Sequence, residues 1–167
     1  MKTIKISSEK ELVKYLVDGN LEIDGNLEID GFYLNVRGWI KARGWIEAGY
    51  WIEARGWIEA GYGIKAGGWI EAGGGIKAGG GIKAGYGIEA GDGIVSGLQI
   101  FCKGILEFKL RCFAGVCYWR EITKEEADVT CSKKIGGEIA FGNLIETGCP
   151  NDKKEIVLNG KRYVEVE

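Results

Sequence analysis

The chain contains no histidine. That absence removes Ser/His and Cys/His nucleophilic pairs, histidine-ligated zinc and histidine general-base chemistry together. Proline is a single residue, Pro150, which excludes collagen-like and polyproline architectures. Charge of one sign is also scarce: 22 Lys+Arg stand against 24 Asp+Glu, a net charge of −2. So balanced a chain lacks the broad basic field of a non-specific nucleic-acid binder. No apolar run reaches the roughly 18 residues of a membrane span. Met1–Ile6 has no apolar core of the signal-peptide kind. Five cysteines (Cys102, Cys112, Cys117, Cys131 and Cys149), an odd number without an export signal, read as reduced thiols in the cytoplasm. Cys112 and Cys117 lack the CxxC spacing of a metal site, and no motif implies a cofactor.

What the chain does have is glycine, 29 of 167 residues, and repetition. From Gly38 it reads GWIKAR, GWIEAG, YWIEAR, GWIEAG, YGIKAG, GWIEAG, GGIKAG, GGIKAG, YGIEAG, DGIVSG, ten hexads without insertion. Position 3 is always Ile; position 5 is Ala until Ser96; position 4 is Glu or Lys until Val95. The phase continues, degraded, to about Glu121. Two GNLEID units at 19–30 join the same phase if Gly31–Arg37 holds one extra residue.

A period of six is a multiple of two and not of 3.6, so positions 3 and 5 share one face of a strand and positions 2 and 4 the other. Helix is rejected, because glycine at this density costs about 1 kcal/mol per residue relative to alanine. The prediction is an all-β protein, a single-stranded three-sided parallel β-helix with three hexads per coil. Ile and Ala line the interior, Trp or Gly and Glu or Lys face out, and glycine at positions 6 and 1 supplies the corners, where positive φ is often needed. The aliphatic-then-small order (Ile46-Glu47-Ala48) favours a right-handed coil.

The predicted organisation is an N-terminal strand-helix cap (1–18), a solenoid (19–121) and a C-terminal α+β cap (122–167). The caps cover strand edges that would otherwise template association. Ser8-Glu9-Lys10-Glu11 is a capping box opening a helix over Glu9–Val17, and Thr123–Glu126 is a second one. A strand is predicted over Glu138–Leu144. An Asn159-Gly160 turn marks a hairpin over 155–166.

An 18-residue turn sorts the outward residues into columns. Glu53, Glu71, Glu89 and Glu107 share one, an acidic strip suited to a basic partner, or a solvated face eased by Arg43 and Arg55. The other two mix signs: Lys41, Glu59, Lys77; and Glu47, Lys65, Lys83. Trp39, Trp45, Trp51, Trp57 and Trp69 all occupy outward position 2, where they make a partner surface or lie over neighbouring glycines. Leu98–Glu121 interleaves Lys103, Lys109, Arg111 and Arg120 with Phe101, Phe108, Phe113, Tyr118 and Trp119, a pattern known from single-strand binders. With Glu107 and Glu121 opposing those cations, direct nucleic-acid binding is not the reading favoured. Cys102 and Cys112 fall on inward positions and read as packed thiols.

The Gly-x-Ile-x-Ala-x hexads resemble the bactofilin type of right-handed β-helix, a bacterial polymer-forming scaffold, over residues 19–121. The C-terminal cap departs from that pattern. Hexapeptide acyltransferases and γ-class carbonic anhydrases also use six-residue repeats, but both depend on histidine. Ala114–Thr147, with Cys-Tyr-Trp-Arg-Glu-Ile-Thr-Lys-Glu-Glu and Gly-Gly-Glu-Ile-Ala-Phe-Gly-Asn-Leu-Ile, is similar to tails of small phage or mobile-element proteins of low-GC bacteria. Together these features imply a non-enzymatic, cytoplasmic, protein-binding solenoid that docks on a host nucleic-acid-processing or defence complex and inhibits it. The alternative is a self-associating scaffold, a homo-oligomer. No membrane partner is implied.

Overall fold

The computed structural model describes residues 1–148 and the backbone of two further strands, Glu155–Leu158 and Lys161–Val164. It is a parallel β-solenoid of about seven turns. The first face stacks Thr3–Ile6, Asn26–Ile29, Ile46–Ala48, Ile64–Ala66, Ile82–Ala84, Ile100–Cys102, Asp128–Cys131 and Asn143–Glu146. The second stacks Leu34–Val36, Ile52–Ala54, Ile70–Ala72 and Ile88–Ala90; the third stacks Asn20–Ile23, Ile40–Ala42, Ile58–Ala60, Ile76–Ala78 and Ile94–Ser96. The longer strands Ile105–Ala114 and Lys133–Phe141 then run across both of these faces and join them into one bent sheet.

The register follows the arithmetic of the repeat. Ile46, Ile64, Ile82 and Ile100 pair in succession, each three hexads after the last. The early step, Leu21 to Ile40 and Leu27 to Ile46, is longer by the one extra residue anticipated in Gly31–Arg37. Backbone bonds continue the ladder around the corners: the Ile64 N–H donates to the Gly81 carbonyl at 3.0 Å, and the Gly85 N–H to the Ala66 carbonyl at 3.0 Å. Every repeat isoleucine from Ile40 to Ile100 is at most 1% exposed. Burying one such side chain contributes about 1.5–3 kcal/mol. Ser96, in the alanine column, is also buried, and its hydroxyl donates to the Gly80 carbonyl at 2.8 Å. Cys102 and Cys112 are buried inward, as their hexad positions require, and so is Cys131. Burial pushes their thiols up to about 12, 12 and 11 respectively, so they stay protonated and inert.

The corners are built differently from the expectation. None of the repeat glycines at 38–97 has positive φ. Glycine is needed there for room: a Cβ at Gly85 would stand 1.9 Å from the Gly67 carbonyl oxygen of the coil before it. Gly49 meets no such neighbour.

The ends also differ. The N-terminal helix is shorter than Glu9–Val17. It spans Glu9–Leu12, passes into a 3-10 turn at Val13–Tyr15, and gives way to a strand at Leu16–Val17. The cause is a tight turn at Asp18-Gly19, both with positive φ (50° and 78°), which pairs Val17 with Asn20 as a hairpin. Ser8 Oγ does accept the Glu11 N–H, but the Glu11 carboxylate accepts from Ser7 rather than Ser8. The second box yields a 3-10 turn at Glu125–Ala127, with the Thr123 N–H donating to Glu126. Parallel pairing continues past Glu121: Ile100 pairs with Val129 and Val129 with Leu144, after an excursion over residues 115–127. The strand expected at Glu138–Leu144 is two, Lys133–Phe141 and Asn143–Glu146. Glu155–Leu158 and Lys161–Val164 pair antiparallel; their Asn159-Gly160 turn lies outside the described residues.

Corner crowding generates the first prediction. Gly85→Ala should lower unfolding stability by about 1–3 kcal/mol, the range for forced overpacking. Gly49→Ala should be neutral or stabilise by about 0.4–1 kcal/mol through the unfolded chain. Urea titration of both variants decides it, and equal effects would contradict the collision account.

Candidate interaction surface

The outward columns fall into two kinds. On the first face, Lys5, Glu28, Glu47, Lys65, Lys83 and Phe101 are successive neighbours. Lys5 bonds Glu28 at 2.9 Å, Lys65 bonds Glu47 at 2.6 Å, and the Lys83 ammonium lies 5.5 Å from the Phe101 ring centroid. On the third face, Glu22, Lys41, Glu59 and Lys77 alternate in sign, with pairs at 3.7 Å and 3.6 Å. These pairs are exposed and screened by solvent, so they add little to stability, but they suit the register.

The second face breaks that rule. Glu53, Glu71, Glu89 and Glu107 stand in direct succession, as the period predicted. Among the described residues none of the four forms an ion pair. Arg43, expected to ease them, instead pairs with Asp24 at 3.2 Å. Below the column, Asn35 donates its amide to Glu53 at 2.8 Å. Partial burial, then the neighbouring charges of Glu89 and Glu53, hold the Glu71 carboxyl above its ordinary range.

The five repeat tryptophans do not make one surface. Residues six apart sit on different sides of the coil, so they divide among three corners. Trp39 and Trp57 stack face to face, centroids 4.9 Å apart and planes within 1°, beside the third face. Trp45 stands alone beside the first face, at the head of a shallow groove floored by Gly63 and Gly81. Only Trp51 and Trp69 adjoin the acidic column. Trp51 lies over Gly68 and Trp69 over Gly87, where a Cβ would come within 2.1 Å and 2.2 Å of the rings. They therefore shield backbone and still present an edge, Trp51 being 42% exposed.

Two residues not singled out from the sequence complete this cluster. Tyr33 packs against Tyr50 (centroids 5.5 Å) and Trp51 (5.9 Å). With Asn35 and Glu53 it lines a depression of about 360 Å³. Tyr33 and Asn35 lie one full turn before Trp51 and Glu53, so the period itself would have located them. An aromatic rim beside a row of carboxylates is chemically suited to ammonium or guanidinium groups, through cation–π contact and charge-assisted hydrogen bonds.

The basic-aromatic stretch is dispersed. Phe101 faces out under Lys83, while Phe108 is wholly buried. Tyr118 and Trp119 belong to the excursion, where Trp119 lies against the Gly79 and Gly97 corners. Arg120 is engaged by Glu126, whose carboxyl it holds down at about 2. No continuous stacking platform results among these residues. Nor, among the described residues, is there a cluster of His, Cys, Asp and Glu fit to hold a metal ion.

Set against known proteins, the chain matches no family model, no curated protein and no solved structure.

The raised carboxyl has a definite consequence. Glu71 is protonated more readily in the folded chain than in the unfolded one, so its contribution to stability falls as pH rises from 4.5 through the folded value. Glu71→Gln should therefore unfold at a higher temperature than the parent at pH 7, with the gap narrowing at pH 4. A parent more stable than the variant at pH 7 would show that the column is neutralised by something else.

Proposed function

We propose that this chain is a non-enzymatic protein-binding solenoid that works through its second face. What supports this is the contrast between columns: on the other two every glutamate has a lysine as one neighbour, and the one bordered by Tyr33, Tyr50, Trp51 and Trp69 keeps four like charges in a row. Repulsion between adjacent like residues costs a few tenths of a kcal/mol per pair. Lysine at one of the four positions would relieve it, as lysine does on the other faces. A partner bearing Arg and Lys gives those carboxylates a use. The aromatic rim takes the first cation, and Glu71, Glu89 and Glu107 take those that follow along an extended strip.

The partner class this favours is a protein with a basic, nucleic-acid-binding groove. In the phage or mobile-element setting that the 114–147 segment resembles, the chain inhibits a host nucleic-acid-processing or defence complex in the cytoplasm by occupying that groove. The second reading is a bactofilin-like scaffold. It draws on the solenoid's terminal strand, Asn143–Glu146, which has a strand partner on one side only among the described residues.

A lysine/arginine-rich peptide is the simplest probe. It should bind the parent chain with an affinity that weakens as salt rises. Glu71→Lys/Glu89→Lys and Trp51→Ala should each weaken it about tenfold or more. Glu47→Lys on the first face should leave it unchanged. Equal losses in all three would remove the second face from consideration.

A further inference from the structure

For most of its length the solenoid interior contains Ile, Leu, Val, Ala, Cys, Ser96 and Phe108. The last coil departs from this. The inward column Leu34, Ile52, Ile70, Ile88, Leu106 is continued by Lys134. The inward column that ends in buried Cys131 is continued by Glu146. Two charged residues therefore occupy interior positions, and they do so at the end of the stack.

Both are anchored there. The Lys134 ammonium donates to the carbonyls of Gly136 (2.5 Å) and Gly137 (2.6 Å) and lies 5.4 Å from the centroid of the Phe108 ring. The Lys134 backbone N–H donates to the Glu146 carboxylate at 2.6 Å. Gly137 closes directly over Phe108: a Cβ there would stand 2.2 Å from the ring. At the same end Leu144 continues the inward column of Val129, Phe141 and Ile145 stand at the apolar rim, and all three are exposed. Among the described residues these parallel strands have a free edge, and such an edge with apolar residues around it forms a template for one more coil.

We infer that Lys134 and Glu146 close this end of the solenoid to a second copy of the chain. A coil stacked on it would lie about 4.8 Å away. Head to tail, it would set the apolar interior of the first coil (Ile6, Leu21, Ile23, Leu34 and Val36) against an ammonium and a carboxylate that could no longer reach water. Burying such charges without full compensation is strongly unfavourable. Inward-pointing charge is one of the ways in which sheet edges are kept from pairing. The inference stands apart from the second-face proposal. It bears on the scaffold reading, because a chain closed in this way does not lengthen through its C-terminal end.

The test compares the full-length parent with Lys134→Leu/Glu146→Leu by sedimentation velocity at matched concentrations. Lys134→Met/Glu146→Gln is scored in parallel, since it removes both charges while keeping side chains of similar length. A β-type circular dichroism spectrum confirms folding, and Lys133→Leu serves as the neighbouring control. The variants' weight-average mass should rise to at least twice that of the parent, increasing with concentration, while the control matches the parent. A folded Lys134→Met/Glu146→Gln at the parent's mass across the series would overturn the inference, as would an equal rise in Lys133→Leu.

Discussion

Within Ile40–Ser96 each turn of this chain hydrogen-bonds to the turn three hexads away, and that register dictates the rest. It places isoleucine on isoleucine in the interior, where the gain from removing apolar surface from water is repeated at every step. At several corners it also brings the backbone so close to the coil before it that a side chain would collide with a carbonyl oxygen, as at Gly85 against Gly67. Outside, it stacks the fourth-position residues of successive coils on one another, so a sequence with this repeat must choose a sign pattern for each column. Lys65 on Glu47 and Lys77 on Glu59 are the favourable choice. Glu71 between Glu53 and Glu89 is the unfavourable one.

Much of this was legible in the residues. The hexads carry the strand period, the inward isoleucines and thiols, the three-hexad turn and the acidic column. Legibility failed where a different interaction took over. Positive φ is the usual reason for glycine at a corner, yet here the reason lies in the adjacent coil, which no single hexad reveals. The helix after Ser8 stops early because Asp18-Gly19 makes a hairpin that captures Leu16–Val17. The solenoid runs past Glu121 because the 115–127 excursion lengthens one turn, so that Ile100 pairs with Val129, and erases the phase without ending the sheet. The tryptophans recur every six residues, which puts neighbours in sequence on different sides of the coil. Only Trp51 and Trp69 reach the carboxylates.

The surface that emerges is asymmetric along and around the axis. Sign-paired faces are suited to solvent. The aromatic-acidic face is suited to cations, and the C-terminal end carries charge where the interior would otherwise be apolar. No helix among the described residues is long and apolar enough to cross a membrane. A repetitive solenoid with one chemically distinct face is the basis of the protein-binding proposal, which rests on a surface rather than a cleft.

The register is open to direct measurement by NMR scalar couplings across backbone hydrogen bonds. Couplings are expected from the Ile46 nitrogen to the Gly63 carbonyl carbon, from Ile64 to Gly81 and from Ile70 to Gly87, each joining one coil to the next at the same offset. Couplings of the helical kind, from a nitrogen to the carbonyl four positions earlier, would contradict this register. So would an offset that shifts from one coil to the next within Ile40–Ser96.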